Sequence, residues 1–220
     1  MVSTVIKGFA ALLFVAGIFA VTVAVNILLL GKHSGAHINP AVTIAHVISA
    51  KSRNGLILPY LCFQGLGAGA AALTLRAFFL NQTLYPADLG STELARGVNP
   101  LVGIGIEAIG TFLLCSAALA ATFYVRRPLR QAILVGGTLF ILILMFGPLT
   151  GASFNPDRSL APAFWSWHWS GEYVYLIGPL IGAVFAALLF KRISCARISK
   201  SNARSQPRVF LLTSLQYLQL

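Results

Sequence analysis

Five long apolar stretches constrain this chain more than any other feature. An α-helix needs about 20 apolar residues to cross the roughly 30 Å hydrocarbon core of a bilayer. The stretches that approach or exceed this length cover roughly residues 8–30, 56–80, 101–124, 131–148 and 172–190. Only 10% of the residues are charged, against about 25% in soluble domains. The sequence therefore predicts an all-α, multi-pass integral membrane protein with about five full spans.

The first stretch resembles a signal peptide in one respect, because a basic residue, Lys7, precedes an apolar run. That run is longer than the usual 7 to about 15 residues, and no small-residue cleavage site ends it. We interpret it as a retained span, which leaves the N-terminus outside.

Most basic residues lie in segments on one side of the predicted membrane spans. In a soluble protein, a net charge of +11 would suggest nucleic acid as a partner. Twelve of the sixteen basic residues fall on one side if the spans alternate: Lys32, Lys51, Arg53, Arg126, Arg127, Arg130, Lys191, Arg192, Arg197, Lys200, Arg204 and Arg208. The positive-inside rule then places the loops at 31–55 and 125–130 and the C-terminus in the cytoplasm. We expect the lipid bilayer as a partner, and no nucleic acid.

The residues that carry covalent or metal chemistry are sparse. Cys62, Cys115 and Cys195 lie in two spans and the tail, which suits neither a disulfide framework nor a metal site. There are only five acidic residues and no nucleophile with a base. We expect no enzyme activity, no metal and no cofactor. Residues 1–192 form one membrane domain, and residues 193–220 are interpreted as a basic, mostly disordered cytoplasmic tail.

The chain contains a short internal repeat. Residues 34–43 read SGAHINPAVT and residues 150–159 read TGASFNPDRS, so six of ten positions match when Ser and Thr are interchanged. The first copy follows the first span and the second follows the fourth, so they lie on opposite sides of the membrane. Neither of the segments that contain these copies is long enough to cross the membrane as a full helix. This pattern predicts an inverted repeat in which two short re-entrant helices meet near the bilayer midplane.

Each copy begins a helix at Asn-Pro. Asn is a favoured N-cap, and Pro at the first helical position lacks an N–H that would be unpaired there. If Asn39 and Asn155 cap through their side-chain oxygens, both amide groups remain free to donate to one place. The two helix N-termini bring about half a positive charge each, which repels cations. Water held between the amides is oriented by them, so a proton-conducting chain is interrupted.

The sequence resembles the aquaporin, or major intrinsic protein, family over roughly residues 8–192. The resemblance rests on the first repeat copy, with Asn39, Pro40 and Ala41, and on the second, with Asn155, Pro156 and Asp157. Further matches are QGLGA at 64–68, EAIGT at 107–111, and the stretch from Tyr173 to Gly182. It implies an aquaporin-like inverted repeat with five spans and two half-helices, assembled as a homotetramer.

The resemblance also implies a narrow selectivity filter. By their offsets from the two Asn-Pro motifs, its four positions are Phe19, Ile143, Ala152 and Arg158. An arginine in a constriction donates to passing water and repels cations. Strict water channels of the family often have histidine at the position of Ile143, so we expect a wider pore that admits ammonia, hydrogen peroxide or small polyols beside water.

Two other residues carry a role implied by the family. Glu107 is expected to accept from backbone N–H groups of the second loop; a proton-relay role is the alternative. His37, near the cytoplasmic mouth, is expected to fix the first loop through a hydrogen bond, and sensing of pH is its alternative.

This chain departs from the family in two places. Members have six full spans, and the Glu-x-x-Gly-Thr pattern expected in each half occurs only at 107–111, so the first family helix is missing. Asp157 stands where members usually have Ala. A carboxylate at this depth is costly unless it is paired or protonated, and Arg158 is its obvious partner. Three effects stay open: Asp157 fixes that arginine, weakens the local field so that cations bind, or abolishes conduction.

The function expected is therefore a passive channel, and the expected location is the plasma membrane. Two alternatives stay open. One is a non-conducting paralogue that acts by assembling with full-length relatives. The other is an ion-coupled secondary transporter, which also uses inverted repeats and broken helices.

Overall fold

The structure is a computed structural model that describes residues 2–49, 54–79 and 89–194. The described residues form helices joined by loops, and a short 3₁₀ turn at Asn54–Leu56 precedes the third helix. The helices are α1 (Val2–Ser34), α2 (Pro40–Ile48), α3 (Ile57–Phe79), α4 (Pro100–Tyr124), α5 (Pro128–Thr150), α6 (Pro156–Ser166) and α7 (Tyr173–Ser194).

Five of these helices, α1, α3, α4, α5 and α7, are long and apolar enough to cross a membrane. The other two, α2 and α6, are short, with 9 and 11 residues. The prediction of five spans and two short half-helices is confirmed. Pro148 does not end its span as the sequence suggested, because α5 continues to Thr150.

The helix ends define two faces of the protein. The Tyr60 hydroxyl of α3 donates to the Ser34 carbonyl at the end of α1, and the Phe123 ring of α4 lies 5.8 Å from the Phe190 ring of α7. The face on which these ends meet is called the basic face, and it carries Lys32, Arg126, Arg127, Arg130, Lys191 and Arg192. The other face, called the opposite face, carries the loops at 89–99 and 167–172.

Glycine allows the long helices to approach closely. A Cβ at Gly136 of α5 would lie 2.7 Å from the Ala20 carbonyl oxygen of α1. A Cβ at Gly182 of α7 would lie 2.2 Å from the Ala108 carbonyl oxygen of α4. Close backbone contact of this kind is how membrane helices gain packing energy without a hydrophobic driving force between them. These contacts hold α1 on α5 and α4 on α7 around the two half-helices.

The two loops that lead into α2 and α6 repeat each other's backbone conformation. Each has three residues with positive φ at matching positions: Gly35 (74°) and Gly151 (74°), Ala36 (49°) and Ala152 (49°), Ile38 (42°) and Phe154 (53°). Positive φ is uncommon for residues with a Cβ. The sequence repeat therefore corresponds to a structural repeat.

Part of the sequence-based interpretation lies outside the described residues. The predicted tail boundary at residue 193 falls in the last turn of α7, and residues 195–220 are among those not described. The predicted basic tail therefore stays a prediction.

Candidate pore

A cavity of about 1140 Å³ runs from the basic face to the level of α6. Its walls come from both halves of the chain. Eight of the twelve site residues expected from the sequence line it: Phe19, His37, Asn39, Ile143, Ala152, Asn155, Asp157 and Arg158. The other four, Pro40, Ala41, Glu107 and Pro156, are buried behind this wall.

The two Asn-Pro motifs cap their helices as expected. The Asn39 side-chain oxygen accepts from the Ala41 N–H at 2.8 Å, and the Asn155 oxygen accepts from the Asp157 N–H at 3.1 Å. In each helix Pro occupies the first turn. Both half-helices therefore start at the cavity with their N-termini toward each other.

The two asparagines also bind each other's loops, which sequence reasoning missed. The Asn39 Nδ2 donates to the Phe154 carbonyl oxygen at 2.9 Å, and the Asn155 Nδ2 donates to the Ile38 carbonyl oxygen at 3.1 Å. A primary amide has two N–H groups, so each asparagine uses one to join the halves and keeps one for the cavity. The expectation of wholly free amide groups was wrong in this respect.

All four expected filter residues line the cavity. The Arg158 guanidinium carbon lies 5.4 Å from the centre of the Phe19 ring. Ile143 and Ala152 add apolar wall and are 5% and 4% exposed. The Arg158 Nη1 donates to the Gly90 carbonyl oxygen at 2.6 Å, so the loop at 89–99 anchors the guanidinium from the opposite face.

A buried carboxylate holds the second loop. Glu107 of α4 is fully buried. Its Oε1 accepts from the Thr150 hydroxyl at 2.7 Å and from the Ser153 N–H at 3.1 Å, and its Oε2 accepts from the Phe154 N–H at 2.7 Å. Phe154 is the residue whose carbonyl binds Asn39, so Glu107 supports the contact between the halves.

The first loop is held differently. Among the described residues no carboxylate takes the place that Glu107 has at the second loop. The His37 Nδ1 lies 3.2 Å from the Thr43 hydroxyl, and the His37 ring stacks on His46 at 4.4 Å and on Tyr60 at 4.9 Å. These contacts are of the kind that fixes a loop.

Asp157 does not form the expected pair with Arg158. Within the described residues the Oδ2 of Asp157 has no hydrogen-bond partner, and the Arg158 side chain turns to Gly90 instead. Asp157 borders the main cavity and also a second cleft of about 500 Å³ between α3 and α6.

Several polar side chains around the cavity make contacts that were not predicted from the sequence. Hydroxyl groups of Thr92, Ser159 and Ser153 form a buried chain behind α6. On the basic side, the Gln64 Nε2 donates to the Thr43 hydroxyl at 2.9 Å. The only available signal was a polar residue beside an apolar run, and such residues are too common to single out.

Comparison with known proteins agrees with this geometry. The family model described as "Major intrinsic protein" matches residues 2–190. Rat aquaporin-1 is 33% identical over 183 residues, which are 82% of this chain and 67% of that protein. The chicken lens fiber major intrinsic protein is 36% identical over 181 residues, with coverage of 81% and 68%. This chain thus spans about two thirds of the length of these relatives.

A solved structure shows the same fold. The aquaglyceroporin of Plasmodium falciparum superposes with a TM-score of 0.77 at 23% identity, over 86% of this chain and 85% of that one. Together with the family match, this confirms the predicted family and the predicted aquaporin-like fold. The chain is a multi-pass membrane protein that belongs to the major intrinsic protein family, the family of channels for water and small solutes.

Proposed function

We propose that this chain is a passive pore for water that also passes small neutral solutes and excludes ions and protons. The observation that carries the proposal is the reciprocal pair of hydrogen bonds from Asn39 and Asn155. It leaves two amide N–H groups and two helix N-termini at one cavity wall. Water there donates its hydrogens outward along the pore, and the positive helix ends oppose cations.

The filter supports a wider range of solutes than water alone. Of its four residues, only Arg158 offers hydrogen-bond donors, while Phe19, Ile143 and Ala152 are apolar. Ammonia, hydrogen peroxide and small polyols are the solutes that such a wall fits. Water comes first in this proposal, because Ser159, which follows Arg158, stands where glycerol-conducting members usually carry Asp.

The orientation, the assembly and the membrane of the pore are also proposed. The cluster of arginines and lysines favours a cytoplasmic basic face and a cytoplasmic C-terminus. By analogy with the family, we propose a homotetramer in the plasma membrane, with one pore in each subunit.

The experiment is stopped-flow light scattering on proteoliposomes under an osmotic gradient. We expect shrinkage faster than in protein-free vesicles, a low activation energy, and no acceleration of proton leakage. Arg158→Ala should admit larger solutes, and Arg96→Ala, which removes an exposed arginine, is the control. Water flux equal to that of lipid alone, from inserted protein, contradicts the proposal.

A second candidate is a subunit that conducts only when assembled with a full-length relative. The cleft between α3 and α6 favours this candidate. A Cβ placed on Gly65 of α3 would have no atom within 4 Å, and Asp157 borders the cleft with its Oδ2 unpaired among the described residues. This reading predicts no flux from the chain alone and altered flux when it is reconstituted with a relative. Equal flux from the mixture and from the relative alone would exclude it.

A further inference from the structure

The start of α7 carries a buried carboxylate that the pore account does not use. Glu172 immediately precedes α7 on the opposite face, and only 5% of its surface is exposed. Neither of its carboxylate oxygens has a hydrogen-bond partner within the described part of the chain. Burying an unpaired polar group costs free energy, so such groups in native proteins call for an explanation, often bound water.

Glu172 lies within electrostatic reach of the filter arginine. The charges of Glu172 and Arg158 attract each other. One guanidinium nitrogen of Arg158 donates to the Gly90 carbonyl, but its Nε has no partner among the described residues. A buried acceptor and a buried donor near each other are therefore both unsatisfied.

Tyr175 extends this cluster on the next turn of α7. It is fully buried, and its hydroxyl lies beside the Thr92 side chain. It lies within electrostatic reach of Glu107, Glu172 and Arg158. The Arg158 Nε and the two Glu172 carboxylate oxygens thus lack partners among the described residues, and ordered water bridges buried groups of this kind.

We propose that Glu172 is a positioning residue for Arg158, whose ionised carboxylate draws the guanidinium through ordered water toward α7 and away from the pore axis. The neutral acid exerts no such pull, and the guanidinium then stands further into the filter. This inference rests on the proposed pore function. It makes water flux depend on pH at the opposite face.

The surroundings of Glu172 determine whether water flux rises or falls with pH. Burial raises the pKa of the Glu172 carboxyl to about 7, the Arg158 charge opposes this rise, and the Glu93 charge adds to it. The acid is therefore largely neutral at about pH 6 and ionised at about pH 8, so flux should be higher at the higher pH. His168 also lies on this face, and its Nε2 is 2.9 Å from Glu93 Oε1.

The test is osmotic swelling of oocytes that express the full chain, with the external pH varied from about 5.5 to 8.5. External buffer changes only one face, so the histidines at the basic face are not titrated. We expect wild-type swelling to rise severalfold with a midpoint near pH 7. Glu172→Gln, which mimics the neutral acid, should keep the low-pH rate at every pH.

Two controls separate Glu172 from its neighbours. Glu93→Gln and His168→Gln should keep a pH-dependent profile, because neither residue faces the unsatisfied nitrogen of Arg158. A flat wild-type profile overturns the inference even if Glu172→Gln fails to reach the membrane, and so does a profile that is lost in His168→Gln but kept in Glu172→Gln. No swelling at any pH contradicts the proposed pore itself, and the inference with it.

Discussion

Replacing Glu107 by Gln tests how the second loop is held. The three donors on Glu107 are the Thr150 hydroxyl and the N–H groups of Ser153 and Phe154. Gln has one acceptor oxygen, so its best orientation keeps the two contacts at Oε1 and turns its NH2 toward the Phe154 N–H. That buried N–H then has no acceptor, which costs about 1–3 kcal/mol.

The two remaining bonds also lose their charge assistance, which adds about 1–2 kcal/mol. The total of about 2–5 kcal/mol corresponds to a fall of the order of 10 °C in unfolding temperature for a chain of this size. Thermal unfolding in detergent, followed by tryptophan fluorescence, measures it. Water flux should fall as well, because Phe154 binds Asn39.

Glu93→Gln is the matched control for this prediction. It makes the same chemical change at a side chain that is 54% exposed and pairs with His168, and surface pairs contribute about 0–1 kcal/mol. If Glu107→Gln unfolds at the same temperature as Glu93→Gln, the carboxylate does not hold the loop and the reasoning is refuted.

Three further substitutions follow from the same contacts. Asn39→Ala removes both the N-cap, at a cost of about 1 kcal/mol, and the bond to the second loop, so thermal unfolding should occur earlier and water flux should drop; unchanged flux would contradict the pore. Gly182→Ala places a Cβ 2.2 Å from a backbone oxygen of α4 and should lower the unfolding temperature, whereas Gly105→Ala, with no atom within 4 Å, should leave it equal or higher. Asp157→Ala removes a carboxylate oxygen that has no partner in the described residues and should raise the unfolding temperature in the same assay; a decrease would mean that Asp157 has a stabilising contact in the membrane.

The helical scaffold could be predicted from the sequence because few kinds of structure can cross a bilayer. Span length and the duplicated Asn-Pro motif depend on distance along the chain, and both predicted the helices correctly. The offsets taken from the family resemblance gave Phe19 and Ile143, which both line the cavity. The N-caps at Asn39 and Asn155 were likewise local properties of each motif.

The contacts that join the halves could not be predicted in this way. Asn39 and Phe154 are 115 positions apart, and Thr92 and Ser159 are 67 apart. Nothing in either segment identifies its partner until the helices are packed. The same holds for Glu172, whose burial depends on how the start of α7 packs, and for Asp157, which borders two cavities.

The most direct test of the central claim, that the cavity between the half-helices is the conduction path, is thiol block of water flux. In a background with all three cysteines replaced by alanine, Ile143→Cys puts a thiol into the cavity wall. Ile141→Cys puts the same group on the outside of α5, where the side chain is 57% exposed. We predict that a bulky thiol reagent stops osmotic water flux through the Ile143→Cys protein and leaves the Ile141→Cys protein unaffected. Equal sensitivity of the two, or labelling of Ile143→Cys without loss of flux, would contradict the account.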